Sequence, residues 1–302
     1  MTPPLLPSWR PGATRDAVVA FLAAVADVAP QDRVAMFDND GTLWCERPTY
    51  PQFNFFVDRL AAAVGERPKL AERAEYAAVL SGDPVAIEAL GLPRVALALL
   101  ELFEGQTPAA YDAHVRAFFE HAQHRSLARP LRSMVYQPML ELLDALRDRD
   151  VDVFILSGGG VEFVRAISHQ LYGVPADRVV GTAIGYRYER QGDVPTLRRT
   201  AELDGPLNEG SAKIEALQRH IGRRPILAAG NSLGDRELLE YAQTSQPAIA
   251  LLIIHDDADR EFAYASQAGT IAGDEPITDI GDRQGWVGVS IRHDWTTVFS
   301  DQ

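Results

Sequence analysis

One cysteine, Cys45, in 302 residues leaves no intrachain disulfide and no cysteine-built metal cluster. With no evident base beside it, Cys45 reads as packing. Positive charge is also scarce. Lys and Arg number 29 against 42 Asp and Glu, a formal charge of −13, so neither nucleic acid nor an anionic membrane is expected as a partner. An anionic substrate would need local help from a metal, a lysine or backbone amides. Long apolar runs are missing too. The N-terminal stretch Ala17 to Val28 is interrupted by Asp27 and has neither a basic segment before it nor a cleavage site after it. It reads as an amphipathic helix begun near Thr14 and stopped before Pro30, and a cytoplasmic location is expected. Repeats and low-complexity segments are absent. What remains is an ordinary globular composition, 46% apolar, long enough for one large domain or for a domain with an insertion.

The most informative stretch is Val34-Ala35-Met36-Phe37-Asp38-Asn39-Asp40-Gly41-Thr42. An apolar run ends in two carboxylates one residue apart, and glycine lets the chain turn away. A buried parallel strand delivers acids to the carboxyl edge of an open α/β sheet in this way, where ligands bind. One carboxylate can attack while the other handles protons, and both can face a divalent cation. An Asx/Gly turn after a strand is the plainer alternative; an EF-hand loop fits poorly, because its later ligands are out of register.

Leu43 to Tyr50 reads as an exit loop, and residues 52 to 125 follow helical spacing, with Thr107-Pro108 as an N-cap and first helical residue. The α/β alternation resumes near Gln137. Expected strands are Val151 to Leu156, Val179 to Ile184, Pro225 to Ala229 and Ala248 to Ile254, with helices at Met139 to Leu146, Val161 to Leu171 and Ala212 to His220. Tyr186 to Arg199 reads as a polar hairpin or loop, and Trp286 to Val298 as a terminal strand or a cover for the core.

Three more clusters lie just past strand ends or at helix starts. Ser157 with Gly158, Gly159 and Gly160 offers a hydroxyl and free amides suited to phosphate, or forms a ligand-free turn. Lys213 stands in the first turn of a helix, where the macrodipole disfavours a cation, so it faces either an anion or open solvent. Asn231 and Asp235 can complete an oxygen-lined Mg²⁺ site with the first pair, or serve as an N-cap with an acidic first turn.

Together, Asp38-x-Asp40-Gly41-Thr42, Ser157, Lys213 and Gly230-Asn231-x-x-x-Asp235 resemble the four motifs of the haloacid dehalogenase (HAD) superfamily. The branch they resemble is the phosphoserine-phosphatase-like one, with a helical cap inserted after the first motif. Finer wording, including Asp38 to Trp44, Gly222 to Ile226 and His255 to Glu261, also resembles a bacterial HAD-like hydrolase subfamily. The resemblance implies an α/β fold: a Rossmann-like parallel sheet flanked by helices, formed by residues 1–43 and 134–302, with an α-helical cap at 44–133. It implies a Mg²⁺-dependent phosphomonoester hydrolase acting on a small phosphorylated substrate. Asp38 would be the nucleophile forming an aspartyl-phosphate, and Asp40 the acid and then the base. Ser157, Gly158 and Lys213 would hold the phosphoryl oxygens. Mg²⁺ would be bound by Asp38, the Asp40 carbonyl, and Asn231 or Asp235. Many relatives carry an acid where Asn231 stands; an amide oxygen still ligates Mg²⁺ without adding charge, so weaker metal affinity is expected.

The same residues would serve a phosphomutase, and a disused scaffold would serve a non-catalytic phosphate-binding protein. A dehalogenase would find Asp40 superfluous, since halide leaves without a proton. Glu46 and Arg47, just beyond the nucleophile, are candidates for substrate contact. His114, His121 and His124 read as a helix surface, and Asp256, Asp257 and Asp259 as an acidic helix start or a pocket rim. Oligomeric state is not encoded in any motif.

Overall fold

A computed structural model describes residues 5–268, 271 and 273–300; the expected core span also includes residues outside that description. Eight strands are present among the described residues: β1 Val34–Phe37, β2 Asp152–Gly160, β3 Val179–Thr182, β4 Ile184–Gln191, β5 Val194–Leu203, β6 Leu227–Gly230, β7 Ile249–Ile254 and β8 Val287–Ser290. Six form one parallel sheet in the order β3-β2-β1-β6-β7-β8. β4 and β5 form a separate antiparallel hairpin. The chain runs outward from β1 through β2 to β3, then returns to the other side of β1 with β6. The sheet order therefore reverses between β1 and β6, and an open α/β sheet binds ligands in the crevice at that point.

The buried strands alternate their side chains between two cores, as period two requires. Ala35, Phe37, Val153, Ile155, Leu227 and Ala229 enter one core. Val34, Met36, Leu156, Ala228, Ala250 and Leu252 enter the other. The helices are α1 Ala13–Ala24, α2 Pro51–Glu66, α3 Ala74–Ser81, α4 Pro84–Leu90, α5 Leu92–Glu101, α6 Pro108–His121, α7 Gln137–Arg147, α8 Val161–Tyr172, α9 Ser211–His220, α10 Arg236–Ala242, α11 Ile277–Gln284 and α12 Ile291–Asp294. The first core is shared with α1, α7 and α8 and the second with α9, α10 and α11. No helix among the described residues is long and apolar enough to cross a membrane.

Helices α2 to α6 all lie between β1 and β2. Thr107 accepts a bond from the Ala110 amide at 3.2 Å and Pro108 opens α6, which fixes where that helix begins. Leu60, Tyr76, Val79, Val95, Ala98 and Leu99, from α2, α3 and α5, form a small third core of their own. By contrast, Phe118 and Phe119 of α6 join the main core, where Phe119 stacks on Trp44 with centroids 5.7 Å apart. The β4–β5 hairpin leaves the sheet and meets this helical layer: Arg198 donates to the Gly105 carbonyl at 2.8 Å, and backbone bonds join Arg199 to Gly105 and Gln106.

One sequence expectation changes at this level and another is met twice over. β2 continues through Ser157 to Gly160, with a register shift against β3 after Leu156, because the glycines add no side chains that would hinder the irregular pairing. At the C-terminus both alternatives hold: β8 adds a sixth strand, and Trp295, Val298 and Phe299 cover the core.

Candidate active site

Each cluster picked out by its position reaches the β1/β6 crevice or its edge. Asp38 leaves the end of β1 with its amide donating to the Ala229 carbonyl on β6 at 2.9 Å. Lys213, third residue of α9, is 2% exposed, which removes the alternative of a surface lysine. Its ammonium donates to Asp38 Oδ1 at 2.6 Å and to Asp235 Oδ1 at 2.5 Å. Burial opposes the charge on Lys213, but Asp235 and Asp38 outweigh it and hold the pKa above the usual lysine value. Burial pushes the Asp38 carboxyl well up, and the charge of Asp235 adds to that; both outweigh Lys213. One ammonium thus serves two buried carboxylates with a third, Asp40, close by.

Asp40 is half-buried. Burial raises its pKa, and hydrogen bonds from Trp44 Nε1 at 2.9 Å and Asn39 Nδ2 at 3.4 Å partly offset this. Gly41, at φ +73°, is forced by crowding as well as by conformation: a Cβ there would lie 2.0 Å from Asn231 Nδ2. Asn231 is buried. Its Nδ2 donates to Ser266 Oγ at 3.2 Å and Glu46 Oε1 at 3.3 Å, while its Oδ1 takes a long 3.5 Å bond from Thr42. Asp235 is occupied on both oxygens: Oδ2 accepts from the Asn231 amide at 3.0 Å and the Ser232 amide at 3.1 Å in a capping box. Its contacts suit holding Lys213 and the turn after β6 better than a direct metal bond.

Ser157 is fully buried, and its Oγ accepts from the Gly159 amide at 3.0 Å; Gly158 and Gly159 line the cavity above it. Glu46 reaches the cavity, where Tyr264 donates to its Oε1 at 2.9 Å. Burial pushes the Glu46 carboxyl up to about 7, with the charge of His255 opposing and that of Asp40 adding. Arg47 does not line this cavity; its guanidinium carbon lies 4.2 Å from the centroid of the Tyr264 ring. Motif reading missed Gln52, at the start of α2, whose Oε1 accepts from the Gly160 amide at 2.9 Å and ties the helical layer to the end of β2. His255 and Glu261 lie in a stretch that carries the resemblance, but the motif gave neither a role. Both ring nitrogens of His255 face oxygens, Glu261 Oε2 at 3.2 Å and the carbonyl of Gly41 at 2.9 Å, so the pair pins the loop that carries Asp40.

Other expectations fail on geometry. His124 is buried beyond the end of α6 and bonds to the Arg47 carbonyl at 2.6 Å, so it belongs to the exit loop and not to a helix surface. Asp256 and Asp257 neither start a helix nor rim the main cavity. Asp256 accepts from Ser290 Oγ and the Arg292 amide, and Asp257 pairs with Arg260, fastening the chain after β7 to the C-terminal segment. Cys45 donates to Glu261 inside the core and has its pKa raised by burial, which fits packing.

A family model for haloacid dehalogenase-like hydrolases matches residues 35–240. The chain belongs to this family. The matched span begins in β1, ends in α10 and takes in Asp38, Ser157, Lys213 and Asp235. No curated protein matches. Solved structures add the fold. A protein of unknown function from Bordetella pertussis Tohama I is 15% identical, with TM-score 0.54, 85% of this chain and 97% of that one covered. A conserved, functionally unknown protein from Anaerococcus prevotii DSM 20548 is 13% identical, with TM-score 0.57 and 90% of each chain covered. The HAD hydrolase family is thus established by the sequence model, and the parallel-sheet core by these two structures.

Proposed function

We propose that the protein is a Mg²⁺-dependent phosphomonoester hydrolase that works on a small phosphorylated molecule through an aspartyl-phosphate on Asp38. The observation that carries this is the buried Lys213 ammonium shared by Asp38 and Asp235 at the β1/β6 crevice, with Asp40 beside it. Phosphoryl transfer needs charge neutralisation and in-line placement more than elaborate covalent chemistry.

Among the described residues no three of His, Cys, Asp and Glu converge on one metal position. Mg²⁺ does not require that. It takes one or two carboxylates, keeps several waters and accepts substrate phosphate. The Asp38 carboxylate, the Asp40 carbonyl and the Asn231 amide oxygen are donors of that class, in a cavity whose described carboxylates outnumber its one ammonium. When bound there, Mg²⁺ would offset negative charge on the phosphoryl oxygens.

The chain's own groups do the rest. Asp38 attacks phosphorus; the bond from phosphorus to the leaving oxygen breaks, and Asp40 gives that oxygen a proton. Burial raises the Asp40 pKa, the direction a proton donor needs, while Lys213 and, when bound, Mg²⁺ would oppose the same effect of burial at Asp38. Asp40, now a carboxylate, takes a proton from water as that water attacks the phosphorus of the acyl-phosphate, releasing phosphate and restoring Asp38. Lys213 and the Gly158 amide face the transferring oxygens, with Ser157 holding that turn through its bond from the Gly159 amide. Residues 44–133 act as the cap, with Gln52 as its contact to the turn, and exclude bulk water during transfer.

The experiment is turnover of 4-nitrophenyl phosphate by the purified protein with Mg²⁺ and with EDTA. Turnover is expected with Mg²⁺ alone, with Asp38→Asn lowering it at least a thousandfold. Asp38→Asn as active as the parent would remove the assigned nucleophile.

A further inference from the structure

The cavity over Asp38 encloses about 310 Å³, at the small end for a ligand pocket. Its two walls differ in chemistry. The floor, from the sheet edge and neighbouring loops, carries Asp38, Asp40, Glu46, Glu209 and Asp235. The roof, from α2, α4 and α5, presents Phe53, Phe56, Ile87, Leu92, Val95 and Leu99, with Tyr50 and Gln52 at the edge where Gln52 is tied to Gly160. Lys213 is the only cation among the described residues that line it, and both of its described contacts go to carboxylates.

From this we infer that the substrate is a phosphomonoester whose organic part is apolar and carries no second negative charge. The inference rests on the phosphatase reading for where the phosphate sits. With phosphorus at Asp38 and Lys213, the remainder of the molecule must lie against the roof. A carboxylate or second phosphate there would lose water and meet no cation on that wall. An alkyl or aryl group would instead displace water from apolar surface. Amino-acid phosphates, nucleotides and sugar bisphosphates are therefore poor substrates, and esters of branched or aromatic alcohols are good ones.

The test compares 3-methylbutyl phosphate with O-phosphoserine, both esters of alkyl alcohols, using the full chain with Mg²⁺. The expected ratio of kcat/KM is at least a hundredfold in favour of the alkyl ester, mostly in KM. In parallel, calorimetry measures Kd for pentylphosphonate and for 2-amino-4-phosphonobutyrate, neither of which can be hydrolysed; the alkyl compound is expected to bind at least a hundredfold tighter. Leu92 is 62% exposed at the mouth of the roof, so Leu92→Arg should fold, and it should narrow both ratios at least tenfold. If both esters turn over equally, or the two phosphonates bind equally, the substrate inference is overturned while hydrolysis stands. If neither ester turns over but the phosphonate preference persists, the hydrolase reading falls and the apolar roof stands. Failure of pentylphosphonate to bind, or ratios unmoved by Leu92→Arg, also overturns the inference.

Discussion

Replacing Lys213 by Met isolates the interaction on which the site is built. Methionine nearly matches the stem in length, so the change removes charge more than volume. At an effective dielectric of about 20, a unit-charge pair at this separation carries about 6 kcal/mol of gross attraction. Most of that is cancelled by the water each ion gives up on burial. What the mutation exposes is the uncompensated charge left behind, and removal of one partner from a buried pair destabilises by about 3–5 kcal/mol. Here two carboxylates, Asp38 and Asp235, lose the same ammonium. Lys213→Met is therefore expected to cost about 4 kcal/mol in urea unfolding at pH 7 with EDTA present. Asp235→Asn alone costs less, because an amide oxygen can still accept from the Asn231 and Ser232 amides. Combined with Lys213→Met it should cost less than the sum by about 1–3 kcal/mol, since the second change removes a charge the first has stranded. Additivity within about 0.5 kcal/mol would refute the shared-cation account, as would a Lys213→Met protein with unchanged midpoint.

Trp44→Phe keeps an aromatic ring against Phe119 but deletes the donor to Asp40; kcat should fall about tenfold with KM little changed, as loss of one bond to a charged group implies, and an unchanged kcat would detach Trp44 from the chemistry. Gly41→Ala must accommodate a Cβ 2.0 Å from Asn231 Nδ2 at a positive φ, so thermal or urea unfolding should show a loss of about 2 kcal/mol or more; a neutral result would contradict the packing of that loop. Glu261 concerns pH. Burial raises its pKa, but the bond and charge of His255 more than reverse this, leaving it below the usual glutamate value. A depressed carboxyl stabilises the fold above its unfolded pKa, and that contribution is lost as pH falls through the folded one. The parent should lose stability below about pH 4 more steeply than Glu261→Gln; parallel pH curves for the two would count against the pair.

The core was legible where physics is local. Strands buried on both faces must be apolar runs, so β1, β2, β6 and β7 stand out within a residue or two at most ends. The hairpin was half-visible, because β4 and β5 expose Tyr186, Tyr188, Val194 and Leu197 and show no single buried face. The acids that matter least to the site, Asp256 and Asp257, looked as suggestive as those that matter most, since a local string of carboxylates does not reveal whether it meets Ser290 and Arg260 or a ligand.

Asp38, Lys213 and Asp235 were assembled from positions past strand ends and at helix starts, a topological cue available without coordinates. Gln52 had no such cue, and His255 and Glu261, though in a resembling stretch just past β7, carried no sign of what they hold. Each acts through a partner more than a hundred residues away or through the fold of one loop: Gln52 on Gly160, His255 on Gly41, and Glu261 on His255 while it also accepts from Tyr136. These contacts show why the acidic loop can stay in place despite its crowded charge. The carbonyl of Gly41 is pinned from one side by His255, and the side chain of Asn231 blocks any substituent at Gly41 from the other. The orientation of Asp40 is therefore set from two strand ends at once, β6 and β7. A perturbation of β7 alone, such as Ile253→Ala two residues before His255, should thus lower turnover as well as stability, even though Ile253 does not line the cavity. Full turnover in a folded Ile253→Ala protein would show that β1 and β6 suffice to aim the carboxylates.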